Sequence, residues 1–163
     1  MAALTSWHQF FSAEVGVGAT LTGLVFVALS INLKHILEFP GLAGRAGEAL
    51  LLLLLPVFAG LAGLLPQSGT TAFGAELLAI GLLECIIVTR IAFVGRRSSK
   101  DRSLPKFAVR VAGAEAAVGT AIAAGAILIA SGPGGLWWQA ASTALCVVAG
   151  VGDAWVLLIE ILR

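Results

Sequence analysis

The chain has 163 residues, of which 59% are hydrophobic and only 12% are charged, and its mean hydropathy is +1.01. A soluble domain carries roughly a quarter charged residues, so this composition excludes a protein whose whole surface faces water. It predicts an all-α integral membrane protein that forms a single transmembrane domain over residues 1–163. The formal net charge of +1 gives no indication of a strongly charged partner such as a nucleic acid.

Five stretches are long and apolar enough to cross a bilayer as helices, which requires roughly 20 residues each. Their connections contain helix breakers and polar residues, as in EFPGLAG, PQSGTT and SGPGG. Backbone groups in hydrocarbon must bond within their own segment, and no alternating strand pattern is present, so we predict a bundle of five transmembrane helices. In chain order the predicted helices span about 9–33, 46–65, 72–95, 107–131 and 136–161.

Positive residues occur at alternate connections. Lys34 and Arg45 flank the first connection, whereas the N-terminal stretch and the second and fourth connections contain no Lys or Arg. The positive-inside rule therefore predicts an N-terminus outside and a C-terminus inside. The third connection is the basic loop, and its cations are also candidate ligands for anionic lipid headgroups. These loop cations are Arg96, Arg97, Lys100, Arg102 and Lys106, and an outer aromatic belt is predicted from Trp7, Phe10, Phe11, Trp137 and Trp138.

The N-terminal residues MAALTSWHQFFSAE contain no Lys or Arg, so they lack the charged region of a secretory signal, and we expect the first apolar stretch to stay as a helix. The segment SWHQFFSAEVGVGATLTGLVFVALSINL, in which W-H-x-F-F is most distinctive, resembles the N-terminus of a group of small bacterial integral membrane proteins. The resemblance implies a multi-pass protein of the bacterial inner (plasma) membrane. That group has no assigned function, so the resemblance implies no activity or ligand.

Small residues recur in the fourth helix, where Gly113, Ala117, Ala121 and Gly125 follow one another at four-residue spacing. Such rows let helix backbones approach closely in membranes. We expect this row to pack helices, either inside the monomer or at a contact between subunits of a homo-oligomer. The leucine run at 51–55 is expected to face lipid instead.

Ionisable residues inside the predicted spans are the candidates for function, because each costs roughly 3 kcal/mol at mid-membrane on insertion scales. Glu84 lies near the midplane, and Glu14, Glu115 and Asp153 are the other deep acids. They outnumber the deep bases, so unpaired carboxyls would be neutral or would line water. Either state suits a path for protons or cations. The alternative is that these carboxyls only make packing hydrogen bonds.

Arg90 is the deepest base and needs a partner. Its separation from Glu84 places the two about 120° apart around the helix, so they do not face each other. Arg90 lies about 8 Å from the inner boundary, and Asp153 and Glu115 lie about 12 Å from it, by helix rise. We therefore expect a structural ion pair between Arg90 and Asp153, with Glu115 as the other candidate. Glu48 is predicted to lie close to the inner interface, where a charged side chain is not unusual.

Motifs for catalysis and cofactor binding are absent from the sequence, including GxSxG, HExxH and a phosphate-binding loop. The two histidines and two cysteines are isolated from one another. We therefore expect no enzyme, no catalytic residues, no cofactor and no metal site. The leading hypothesis is a homo-oligomeric channel or transporter for protons or small cations. The alternative is a non-catalytic membrane subunit or regulator that binds another membrane protein through its Gly/Ala helix faces.

Overall fold

A computed structural model describes residues 2–39, 41–98 and 104–161, and every regular element in these ranges is a helix. Five long helices and two short ones follow one another along the chain. In order they are α1 (Ala2–Ser6), α2 (His8–Ile31), α3 (Leu33–Glu38), α4 (Leu42–Leu64), α5 (Thr70–Ser98), α6 (Leu104–Ala130) and α7 (Gly135–Ile161).

The five long helices coincide with the five predicted spans. Each contains an apolar stretch long enough to cross a membrane, so the prediction of five such helices is confirmed. The short helices α1 and α3 are additions that the hydropathy pattern does not predict. The apolar spans are His8–Ile31, Leu42–Leu64, Thr70–Gly95, Phe107–Ala130 and Gly135–Glu160.

Four of the long helices form a ring, in which α4 contacts α5, α5 contacts α6, α6 contacts α7 and α7 contacts α4. α2 lies outside this ring against α4 and touches α7 at only a few points. Neighbouring helices run antiparallel: Gly18 of α2 faces Leu53 and Val57 of α4, whereas Gly63, farther along α4, faces Phe11. Because each helix of the ring contacts the next one, α5 and α7 lie at opposite corners, and so do α4 and α6.

The leucine run at 51–55 lies in the middle of this arrangement. α4 packs against α2, α5 and α7, so little of its surface is left for lipid. Leu52, Leu53 and Leu55 are fully buried, and the helix continues through Pro56, which is buried as well. The expectation that the run faces lipid is therefore wrong. Leucine suits a helix interface as well as lipid, so its hydrophobicity does not distinguish the two environments.

The two ends of the bundle differ in chemistry. At the aromatic end, where α2 begins and α4 ends, the rings of Trp7 and Trp137 meet edge to face at 5.0 Å. Trp137 and Trp138 are exposed, which suits a membrane boundary. Phe11 does not belong to such a belt, because it is fully buried and its ring contacts that of Phe73 at 5.4 Å. At the opposite, basic end lie Lys34, Arg45, Arg90 and Arg110.

Candidate functional site

Glu14 lies on the face of α2 that packs against α4, and it is only 3% exposed. Its Oε1 accepts a hydrogen bond of 2.7 Å from Gln139 Nε2 and another from Thr143 Oγ1. Both donors are on α7. A carboxyl of α2 is thus bound to a helix that α2 otherwise barely touches.

Gly60 of α4 provides the space for this carboxyl. A Cβ at position 60 would lie 3.4 Å from Glu14 Oε2 and 2.9 Å from the carbonyl oxygen of Phe11. Glu14 Oε2 and Gln139 Oε1 are both buried and have no hydrogen-bond partner among the described residues. Each of these acceptor oxygens therefore lacks a donor, and a proton on Glu14 Oε2 would turn that oxygen into a donor.

Glu84 lies on the buried face of α5, between Gly81 and Val88, and is 6% exposed. It is about 21 Å from Thr70 along the helix axis at 1.5 Å per residue, and hence near the middle of the span. Its Oε1 is buried and has no hydrogen-bond partner in the part of the chain that the structure describes. No described protein group therefore compensates this oxygen for its removal from water.

α7 contributes polar groups between these two carboxyls. Ser142 and Cys146 are fully buried, and Ser142 Oγ donates a 2.9 Å hydrogen bond to the carbonyl oxygen of Ala117 on α6. The thiol of Cys146 lies close enough to Glu84 and to Glu14 for the charge of each carboxylate to act on it. A few polar side chains of α7 therefore lie near Glu14 and Glu84 within an otherwise apolar interior.

Glu115 of α6 is bound across the seam between α5 and α6. Its Oε1 accepts a hydrogen bond of 2.5 Å from Thr89 Oγ1, and its Oε2 accepts one of 3.3 Å from Cys85 Sγ. Both donors lie on α5, and Cys85 directly follows Glu84 in the sequence. Glu115 thus adds a partly buried carboxyl at the seam between α5 and α6.

Glu48 of α4 is fully buried near the basic end. Its Oε2 lies 3.2 Å from Arg110 Nη1 of α6, so the ion pair crosses the interior between opposite corners of the ring. Neither carboxyl oxygen makes a hydrogen bond within the described residues. Asp153 and Glu115 also lie close enough for their charges to act on Glu48. Glu48, Asp153 and Glu115 therefore lie near one another at the basic end, and Arg110 and Arg45 are the cations that act on Glu48.

The expected ion pair between Arg90 and Asp153 is not formed in the described structure. Glu84 faces the interior, so Arg90, about 120° away around α5, is on the outer surface and exposed. Asp153, which is half-buried on α7, faces Arg110 and Arg45 instead. Because α5 turns Arg90 outward, the cations that act on Asp153 are Arg110 of α6 and Arg45 of α4.

The four small residues of α6 have two different surroundings. Ala117 and Ala121 are fully buried, and a Cβ at Gly125 would lie 2.8 Å from the carbonyl oxygen of Gly74 on α5. Gly113, by contrast, is exposed and has no atom within 4 Å of its Cβ position. The row packs against other helices inside the chain over most of its length and faces outward at Gly113.

The basic loop falls largely outside the described structure. Lys100 and Arg102 lie outside the described residues. Arg96, Arg97 and Lys106 lie at the ends of α5 and α6, and the described part of the structure does not include their side chains. Lipid binding by these five cations stays a prediction.

Two residues of this site are not evident from the sequence pattern. Glu48 lies near a helix end, where depth alone suggests contact with the interface, but α4 is surrounded by other helices there. Gln139 resembles an ordinary boundary residue beside Trp137 and Trp138. The available signal was its spacing from Ser142 and Cys146, because residues 139, 142 and 146 share one face of α7.

Within the described ranges, no group of three or more His, Cys, Asp or Glu side chains is arranged to hold a metal ion. No protein-family model, curated protein or solved structure matches the chain. The fold and the site define an all-helical protein with five helices able to cross a membrane and with carboxyls buried among them.

Proposed function

We propose that the protein is a membrane channel or transporter that moves protons or small cations through the interior of its helix ring. The observation that carries this proposal is the set of buried acids at three depths. Glu14 is 3% exposed, Glu84 is 6% exposed and Glu48 is fully buried. Ionisable groups at such depth are costly, and they commonly mark ion pathways and proton relays.

The groups between these acids favour protons over larger cations. A hydroxyl or thiol can both donate and accept a hydrogen bond, so it can pass a proton between two carboxyls. Side chains of this kind contact Glu14 and Glu115 or lie on α7 near Glu84, where a relay would need them. They are Thr143, Ser142 and Cys146 on α7, and Cys85 and Thr89 on α5.

The direction of the path follows from the alternation of Lys and Arg along the chain. With the N-terminus outside, the aromatic end faces outward and the basic end faces inward. Glu14 is then the outer carboxyl, Glu84 the central one, and Glu115 or Asp153 the inner one, beside Glu48. The W-H-x-F-F resemblance supports the bacterial plasma membrane as the location.

The outward-facing small residues support association with other membrane helices. Gly16 and Gly23 of α2, and Gly113 and Gly119 of α6, have nothing within 4 Å of their Cβ positions. A second helix can approach closely at such positions. They fit a homo-oligomer, and they also favour the second candidate function, a non-catalytic subunit or regulator of another membrane protein. A defined homo-oligomer in mild detergent favours the channel, whereas co-purification with one larger protein favours the subunit.

Proton flux into liposomes that contain the purified protein tests the proposal. We expect the wild type to pass protons along a potential gradient, and Glu84→Gln to lower the flux to that of protein-free liposomes, because an amide cannot carry the proton. Glu76→Gln is the matched control, since Glu76 lies on the same helix but is exposed.

The outcomes separate three cases. Loss of flux in Glu84→Gln alone supports a path through this carboxyl. Flux that is equal in all three proteins rejects the role of Glu84. Absence of flux from the well-folded wild type, for protons and for alkali cations, rejects transport and favours the subunit.

A further inference from the structure

A groove of about 350 Å³ opens at the basic end, where the beginning of α4 meets the end of α5. It is separate from the buried acids, because its α5 residues include Arg90 on the outer surface. Its lining residues are Gly41, Gly44, Arg90, Ile91, Val94 and Gly95.

Arg90 is the one charged residue of this lining, and it has neither an ion pair nor a hydrogen bond among the described residues. It precedes the end of the apolar span at Gly95 by about 8 Å along the helix. A guanidinium at that depth can extend along the helix to the headgroup region, where phosphate is the available anion.

Among the described residues, the acids of the basic end that lie outside the bundle core already have partners. Glu160 pairs with Arg45, and Glu38 lies 3.7 Å from His35. Within the described ranges, Arg90 is therefore left with a positive charge that no acid balances. An anion from the surroundings is the complement that this charge requires.

The rest of the groove suits a hydrocarbon chain. Ile91 and Val94 give it apolar walls, and Gly44 and Gly95 contribute no side chain to fill it. A Cβ at Gly95 would meet nothing within 4 Å, whereas one at Gly44 would make an ordinary contact of 3.5 Å with Ile91. Space, apolar walls and one unpaired cation thus lie together at the depth where a headgroup meets its acyl chains.

We propose that this groove binds one anionic phospholipid, with its phosphate at Arg90 and an acyl chain along Ile91 and Val94. The site is distinct from the basic loop, whose cations lie beyond the end of the span. An anionic rather than a zwitterionic lipid is specified because a zwitterionic headgroup brings its own cation next to Arg90.

Native mass spectrometry of the protein in mild detergent, titrated with phosphatidylglycerol or phosphatidylcholine, tests this site. We expect Arg90→Gln to weaken the tightest phosphatidylglycerol binding about fivefold, which corresponds to about 1 kcal/mol per cation. Lys34→Gln is the control, because Lys34 is an exposed cation at the same end but lies outside the groove. Phosphatidylcholine binding should be the same in all three proteins.

A second pair of variants tests the shape of the groove. Gly95→Leu fills the groove while it keeps Arg90 and has open space for its side chain. Gly152→Leu adds the same side chain at an open glycine of α7, away from the groove. Loss of the lipid in Arg90→Gln and Gly95→Leu, but not in the controls, supports the site. Unchanged phosphatidylglycerol binding in both groove variants, or equal affinity for both lipids, overturns the proposal.

Discussion

Gly125→Ala tests the packing of the ring at the place where two helix backbones come closest. A Cβ at position 125 would lie 2.7 Å from the backbone nitrogen of Leu78 and 2.8 Å from the carbonyl oxygen of Gly74. Both are main-chain atoms of α5, so no side chain can turn away to make room. α5 and α6 must therefore move apart to accept a single methyl group.

The size of the effect follows from the required displacement. Ordinary contacts begin near 3.4 Å, so the helices must separate by about 0.6–0.7 Å, and overpacking of this kind costs roughly 1–3 kcal/mol. Alanine also favours the helix over glycine by about 1 kcal/mol. Gly113→Ala, in the same helix, has this gain but no clash. The difference between the two variants therefore isolates the overpacking, and we expect about 1–3 kcal/mol.

Unfolding in a titration of SDS against mild detergent, followed by helical circular dichroism, measures this difference. We expect Gly113→Ala to be at least as stable as the wild type, and Gly125→Ala to unfold at a lower SDS fraction. If the two variants unfold at the same SDS fraction, the close contact between α5 and α6 is refuted, and with it the inward placement of Gly125.

The same titration measures two further effects. Arg110→Gln leaves the buried Glu48 without its cation, and we expect a loss of about 3–5 kcal/mol, part of which is recovered when Glu48→Gln is added. A double variant no more stable than Arg110→Gln alone contradicts this ion pair. Phe11→Ala removes a fully buried ring, so we expect a loss of about 3–5 kcal/mol. Phe10→Ala should cost less because Phe10 is only half-buried, and equal losses in these two variants count against the placement of Phe11.

The helices could be predicted from the sequence because their signal is local. An apolar stretch of sufficient length must be a helix in a membrane, whichever helices surround it. The boundaries of the long helices shift: α4 begins at Leu42 rather than at 46. Arg45 lies inside the helix, and its guanidinium reaches Glu160 on α7. A charged residue near the predicted end of a span therefore does not mark the end of the helix.

The neighbours of each helix could not be predicted in the same way. In water, hydrophobicity distinguishes a core face from a surface face, but lipid is as apolar as a protein core. The leucine run at 51–55, the burial of Glu48 and the outward position of Arg90 all depend on which helix stands beside which. Glu84 could be selected from the sequence, because a carboxyl in the middle of a long apolar segment is conspicuous whichever helices surround it.

The order of helices around the ring has a consequence for biogenesis. α4, α5, α6 and α7 contact one another in chain order, so three seams can form as successive helices leave the translocon. The fourth joins α4 to α7, where a Cβ at Gly150 would meet Leu53 at 2.8 Å. The donors to Glu14 are also on α7. The carboxyl that enters the membrane first therefore finds its hydrogen bonds only when the last span has arrived, so a chain arrested before α7 carries an open seam and an unsatisfied acid.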